Sequence, residues 1–144
     1  ELFHHKVLKK KFVFDYFSSS KKNVVRGIHL QLNKPQGKLI TVLSGKIFDV
    51  VVDCRPRSVT FGKCFTLILS ENNNTSLYIP EGFAHGFSVL EDDTIVNYKC
   101  EGEYTPSQEK TIKWDDKDLN INWQITNPII SEKDKKTGMS LIDI

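Results

Sequence analysis

From residue 24 onward the chain alternates short apolar runs with polar breakers: "VVRGIHLQL", "KLITVL", "KIFDVVVD", "CFTLILS", "SLYIP", "GFSVL" and "TIVNYKC". Runs this short, rich in β-branched and aromatic residues, read as strands. Ser44-Gly45 between two of them is a tight hairpin signal, "RPRS" and "ENNNT" are polar loops, and "EDD" joins the last two runs. Evenly spaced strands without a helical period between them predict an all-β, antiparallel sandwich or barrel. Only the ends, near "HHKVLKKK" and "SEKDKKTG", have the pattern of short helical or irregular segments. With no internal repeat, Gly/Ser linker or low-complexity tract, residues 1–144 are expected to form one domain.

Residues two apart share a face of a strand, so the alternation also sorts side chains by environment. In "KIFDVVVD", Asp49 falls on the face of Ile47 and Val51. An acid flanked by aliphatics implies that this face borders a wet pocket. In "GIHLQL", Ile28, Leu30 and Leu32 separate from His29 and Gln31, and in "KLITV" Lys38 shares its face with Ile40 and Val42. A barrel interior would collect these polar groups; a strand read alone would instead turn His29 and Gln31 to solvent.

Composition narrows the function classes. The 144 residues are 39% hydrophobic and 26% charged, and no apolar run approaches the roughly 20 residues that span a bilayer, so no membrane association is expected. The formal charge of +2 is spread along the chain apart from "KVLKKK" and "KDKK", which gives no reason to expect nucleic acid as a partner. Cys54, Cys64 and Cys100 lie far apart with no CxxC pair, against both a disulfide framework and a zinc cluster, and a reducing cytoplasmic setting fits them best. The chain opens at Glu1 without a signal-peptide pattern, and we expect it to be a piece of a longer protein.

Candidate chemistry starts from "IPEGFAHGF", which sets His85 among glycines and aromatics in a chain with four histidines. "PEGFAH" resembles the second motif of the metal-binding cupins. Their first motif supplies two histidines one residue apart, whereas "IHLQ" has Gln31 where the second would stand, so no metal or other cofactor is expected. The pair His4-His5 stands outside any motif. A G-x-S-x-G elbow, a cysteine in an activating charged context and a P-loop are all absent. Proton transfer remains. It needs a base that titrates near neutrality, an acid on the other side of the substrate and a cation for the developing oxyanion. His29, Tyr98 and Lys38, on three expected strands, are of those types.

"RGIHLQ", "QGKLITVLSGKIFDVVVD", "TFGK", "IPEGFAHGF", "YKC", "IKWDD", "INW" and "PIISEKD", in that order and spacing, closely resemble the dTDP-4-dehydrorhamnose 3,5-epimerase family. The resemblance runs from about residue 12 to 134. It implies a double-stranded β-helix, the cupin jelly roll, acting without catalytic metal as a homodimer. Members epimerise nucleotide-linked 4-keto-6-deoxy sugars for deoxysugar and polysaccharide precursors, such as those of lipopolysaccharide or capsule. By the same resemblance His29 is the base for carbon 3 or carbon 5, Asp134 of "SEKD" its partner, Tyr98 the opposing acid and Lys38 the enolate stabiliser. Arg26 is expected at the diphosphate. Gln31, Asp49, His85 and Tyr104 are expected beside the substrate, with His85 oriented by Asp49. The chain departs from the family pattern in lacking an N-terminal arm, in Phe14 and Tyr16 where polar side chains are usual, and in Leu30 in place of a tyrosine. Two other readings stay open from sequence: a cupin that binds a sugar nucleotide without turnover, and a metal-dependent cupin enzyme.

Overall fold

The computed structural model describes residues 11–144. His4, His5 and the basic segment around them lie outside the described residues. Strands account for most of the regular secondary structure of the described residues: β1 (Phe12–Ser20), β2 (Val24–Gln31), β3 (Lys38–Ser44), β4 (Lys46–Asp53), β5 (Cys64–Ser70), β6 (Ser76–Ile79), β7 (Phe83–Val89) and β8 (Thr94–Glu101). Short elements follow: β9 (Glu109–Ile112), β10 (Ile129–Ile130), the helix α1 (Glu132–Thr137) and β11 (Gly138–Met139). One sheet has the order β1-β8-β3-β6; the other runs β11-β9-β2-β7-β4-β5, with β10 also beside β2.

The expected strands β2 to β8 form where the apolar runs place them. β1 and β9 to β11 were not among the expected strands. β1 gains its edge from β8, in a register that sets Tyr16 opposite Tyr98 and Ser18 opposite Val96. β10 on β2 and β11 on β9 are parallel, two-residue exceptions to an otherwise antiparallel fold.

The tight hairpin expected at Ser44-Gly45 is a different feature. β3 pairs with β6 and β8, whereas β4 pairs with β5 and β7, so this corner carries the chain from one sheet to the other. Gly45 has φ +79°, open to glycine at little steric cost, and a Cβ there would collide with the Thr94 side chain. The local sequence signals a sharp turn but does not say which strands will pair across it.

The two faces of the larger sheet feed separate cores. Ile40, Val42, Ile47, Val51, Leu69, Phe87 and Val96 meet between the sheets. On the far side of the larger sheet, Val25, Ile28, Leu30, Val50 and Val52 are covered by Ile112, Leu119, Trp123 and Ile130. The Trp123 indole donates to the Trp114 carbonyl at 2.8 Å, and its own carbonyl accepts from the buried Ser88 hydroxyl at 2.5 Å. The "IKWDD" and "INW" motifs are therefore the lid of this second core. Since β4 is buried on both faces, Asp49 is fully enclosed instead of bordering water directly.

Candidate active site

The mouth between the two sheets is a cleft of two lobes, about 570 Å³ and about 390 Å³, which share Tyr16, His29, Lys38 and Glu109 as lining residues. Arg26, His85, Tyr98, Lys133 and Asp134 line the larger lobe; Phe14, Gln31 and Tyr104 line the smaller. β2, β7 and β9 supply one wall and β1, β3 and β8 the other.

β2 owes its part to an irregularity. Its register with β7 shifts between Arg26 and His29, so both residues reach the cleft although they are three apart. Gly27 sits at that shift with φ +102°, and a Cβ there would lie 2.6 Å from the His85 carbonyl oxygen. Along the other edge of β2, β10 pairs with Val24 and Val25, and β9 takes over at His29. Asp134 enters between those two pairings. Its carboxylate meets His29 Nε2 at 2.6 Å, and the Gly27 N–H donates to its Oδ2 at 3.4 Å. Ser131 caps α1 by accepting from the Asp134 N–H at 3.0 Å, which fixes the first turn and with it the carboxylate. Burial alone would raise the Asp134 carboxyl, but the hydrogen bond and charge of His29, with the Gly27 N–H, outweigh it and hold it below the usual carboxylate range.

A second histidine–carboxylate pair stands beside the first. His29 and His85 are cross-strand partners on β2 and β7, and His85 Nε2 lies 2.8 Å from Asp49 Oδ2, both side chains almost wholly buried. The Tyr98 ring packs edge-on to His85 at a centroid separation of 6.2 Å and in parallel against Tyr16 at 4.4 Å. Its hydroxyl lies 3.4 Å from Ser18 Oγ. Burial pushes the Tyr98 hydroxyl well above the ordinary phenol value, so it is a protonated donor across the neutral range. Burial acts oppositely on Lys38, lowering its ammonium below the usual lysine value.

The remaining expected residues divide. Arg26 reaches the larger lobe with its guanidinium tethered to Ser20 Oγ at 2.9 Å and to the Ser19 carbonyl at 3.3 Å. Tyr104, half exposed, donates to Glu109 at 2.7 Å. Gln31 has its amide committed to backbone: it donates to the carbonyls of Lys34 and Glu103 and accepts from the Thr105 N–H. It shapes the rim of the smaller lobe by holding the loop at residues 103–105.

Glu109 and Lys133 were not singled out from the sequence. Glu109 Oε1 lies 3.8 Å from His29 Nδ1, while its Oε2 accepts from Tyr104 and from Lys133 Nζ at 2.6 Å. Burial opposes ionisation of Glu109, but Lys133 and Tyr104 prevail and lower its titration. His29 is thus bracketed by carboxylates. Lys133 neighbours Asp134 inside "SEKD", a signal that was present; "EKTI" around Glu109 is too short and polar to announce a strand. Among the described residues no group of three or more His, Cys, Asp or Glu side chains is placed to hold a metal ion, and no helix is long and apolar enough to cross a membrane.

Comparison with known proteins places nearly the whole chain beside one family. The sequence profile of the dTDP-4-dehydrorhamnose 3,5-epimerase family matches residues 1–140. The dTDP-4-dehydrorhamnose 3,5-epimerase of Methanothermobacter thermautotrophicus is 47% identical over 93% of this chain and 74% of its own length. That of Shigella flexneri is also 47% identical, over 94% of this chain and 75% of its own. The crystal structure of the dTDP-6-deoxy-D-glucose-3,5-epimerase of Legionella pneumophila, in complex with dTDP-4-keto-L-rhamnose, superposes with a TM-score of 0.92 at 42% identity, covering 98% of this chain and 76% of that one.

Proposed function

Since the chain belongs to the dTDP-4-dehydrorhamnose 3,5-epimerase family, we propose that it inverts carbon 3 and carbon 5 of a dTDP-linked 4-keto-6-deoxy sugar by proton transfer between two walls of its cleft. The protein is a sugar-nucleotide 3,5-epimerase with the cupin jelly-roll fold. One observation carries the mechanism: His29, with Asp134 behind it, and Tyr98 line the same lobe from opposite sheets.

Carbons 3 and 5 are both adjacent to the 4-keto group, so loss of either proton sends the electron pair to oxygen 4 as an enolate. In this reading Nε2–H of His29 donates to Asp134, 2.6 Å away, and the Nδ1 lone pair is the base. Asp134 stabilises the imidazolium that forms, and Glu109, near Nδ1, adds to that. Lys38 stabilises the enolate oxygen, in a position where partial desolvation strengthens its charge–charge contact. Tyr98 then gives its proton to the carbon from the other face, which inverts the centre. Exchange with solvent returns a proton to the phenolate and removes one from the imidazolium. Arg26 and Lys133 supply positive charge for the diphosphate; His85, oriented by Asp49, supports the sugar and the Tyr98 ring.

We place residues 1–144 in one cupin-type epimerase domain that acts without metal in the cytoplasm, with no nucleic-acid or membrane partner, and as a homodimer. Exposed Phe17, Leu43 and Ile95 on the outer face of the smaller sheet support self-association. The test of function is proton NMR of the dTDP-linked 4-keto-6-deoxy sugar with the protein in deuterium oxide. Deuterium is expected at both carbons, together with the L-configured product; a substrate bound tightly yet unlabelled at either carbon would overturn the reading.

A further inference from the structure

Alternate side chains of β1 face the cleft, and each has a distinct contact there. Ser20 holds Arg26, Ser18 lies against the Tyr98 hydroxyl, Tyr16 covers the Tyr98 ring, and Phe14 lines the smaller lobe. Tyr16 and Tyr98 are directly opposed across the β1–β8 pair, their ring planes 8° apart. Phe14 continues the stack on the other side of Tyr16 at 6.2 Å and 20°. Tyr16 lines both lobes whereas Tyr98 lines only the larger, so the Tyr16 ring is the partition between the acid and the smaller lobe.

We propose that Tyr16 is a positioning residue: its ring fixes the Tyr98 ring plane and screens it from water in the smaller lobe, so that an enolate is reprotonated with inversion. The inference rests on the roles assigned to His29 and Tyr98 above. An enolate has two outcomes. Tyr98 can protonate it from the far face, or His29 can return a proton, already exchanged with solvent, to the face it came from. The first inverts the carbon; the second labels it without inversion. Three rings hold the Tyr98 plane: Tyr16 stacked in parallel, His85 edge-on and Phe87 tilted against it. Removing the stack frees the ring to turn and admits water behind it, while the His29–Asp134 pair, in the opposite wall, is untouched.

The experiment compares wild type, Tyr16→Ala, Tyr16→Leu and Tyr16→Phe in deuterium oxide with the dTDP-linked 4-keto-6-deoxy sugar, reading labelled carbons and inverted carbons separately. Tyr16 is 42% exposed on an edge strand, so the smaller side chains fit there, and thermal unfolding checks the fold of each variant. In Tyr16→Ala and Tyr16→Leu the inversions per label should fall at least about tenfold while labelling stays within about threefold of wild type. Tyr16→Phe, which keeps the ring, should retain the wild-type ratio. An unchanged ratio in folded Tyr16→Ala and Tyr16→Leu would overturn the proposal, as would equal losses of labelling and inversion. Loss of the ratio in Tyr16→Phe would overturn it too, by assigning the effect to the hydroxyl. Failure of wild type to label the sugar at all would instead remove the parent mechanism.

Discussion

Replacing Asp134 by asparagine tests the base most directly, because it keeps the shape of the side chain and removes its charge. Wild-type Asp134 is 6% exposed and meets His29 Nε2 at 2.6 Å. At an effective dielectric of about 20, unit charges at that separation attract by about 6 kcal/mol. Hydrogen bonds to charged groups contribute about 1.5–3 kcal/mol net to stability. The imidazolium exists only after proton abstraction, so the loss falls on the transition state, between these bounds. An asparagine that turns its NH₂ to His29 would also reverse the tautomer and put a proton on Nδ1, an error that costs about 10⁴-fold in a serine-protease triad. A fall in kcat of about 10²–10⁴-fold is expected, each 1.36 kcal/mol being tenfold, with KM changed little. Single-turnover label uptake by NMR measures it. The pH sign is also fixed. A carboxyl held below its unfolded value of 3.8 stabilises the fold above that value, and the contribution is lost as pH falls through the folded one. The stability difference between wild type and Asp134→Asn should therefore shrink only in acid. Folded Asp134→Asn with less than about fivefold loss of label uptake would refute the dyad as the source of the base.

Other perturbations separate the remaining roles. Tyr98→Phe should lower inversion about 10²–10⁴-fold while label still enters the sugar, measured by the same NMR experiment. In wild type, kcat should decline as pH rises through the Lys38 value, which burial sets below 10.5, before the upward-shifted Tyr98 titrates; Lys38→Arg should be slower but lack that limb in a pH–rate profile. Asp53 accepts from Arg55, Ser58 and Thr60 in the β4–β5 loop, and chiefly the Arg55 contact holds its carboxyl far below the usual range. Asp53→Asn should cost about 1–3 kcal/mol in urea unfolding, with the wild-type advantage present above pH about 4 and fading as pH falls. Gly45→Ala should cost at least about 1–2 kcal/mol, since it combines a positive φ with a clash at Thr94.

The strands β2 to β8 were legible because Val, Ile and Phe alternate or cluster between breakers, and burial on one or both faces enforces that pattern. β1 was not, since its inward row of Phe, Tyr and Ser follows a cleft and not a core. β9, β10 and β11 run two to four residues and exist because a neighbour pairs with them. The Ser44-Gly45 turn shows the same limit from the other side: a dipeptide specifies a bend, while the sheet each arm joins depends on contacts far along the chain. Lys38, Asp49 and His29 could be suspected from alternation, as polar groups on strand faces. Asp134 could not. It lies 105 residues from His29, in a run of charges, and only resemblance to a family joined the two. Glu109 and Lys133 look like surface charges in the sequence, and their role depends on meeting across the rim.

The chemistry proposed here explains why the site needs both sheets. Inversion requires a proton to leave one face of the sugar and another to arrive at the opposite face, so base and acid must confront each other across the substrate's width. Neighbouring strands of one sheet lie about 4.8 Å apart and would place both groups on the same side; His29 and His85, cross-strand partners, are such a pair. Facing sheets stand about 10 Å apart. That spacing suits a sugar ring between His29 on β2 and Tyr98 on β8. On the proposed mechanism the two histidines divide the work by position: His29, which lines the lobe, would take the proton, while buried His85, held by Asp49 and edge-on to the Tyr98 ring, would steady the acid that opposes its neighbour.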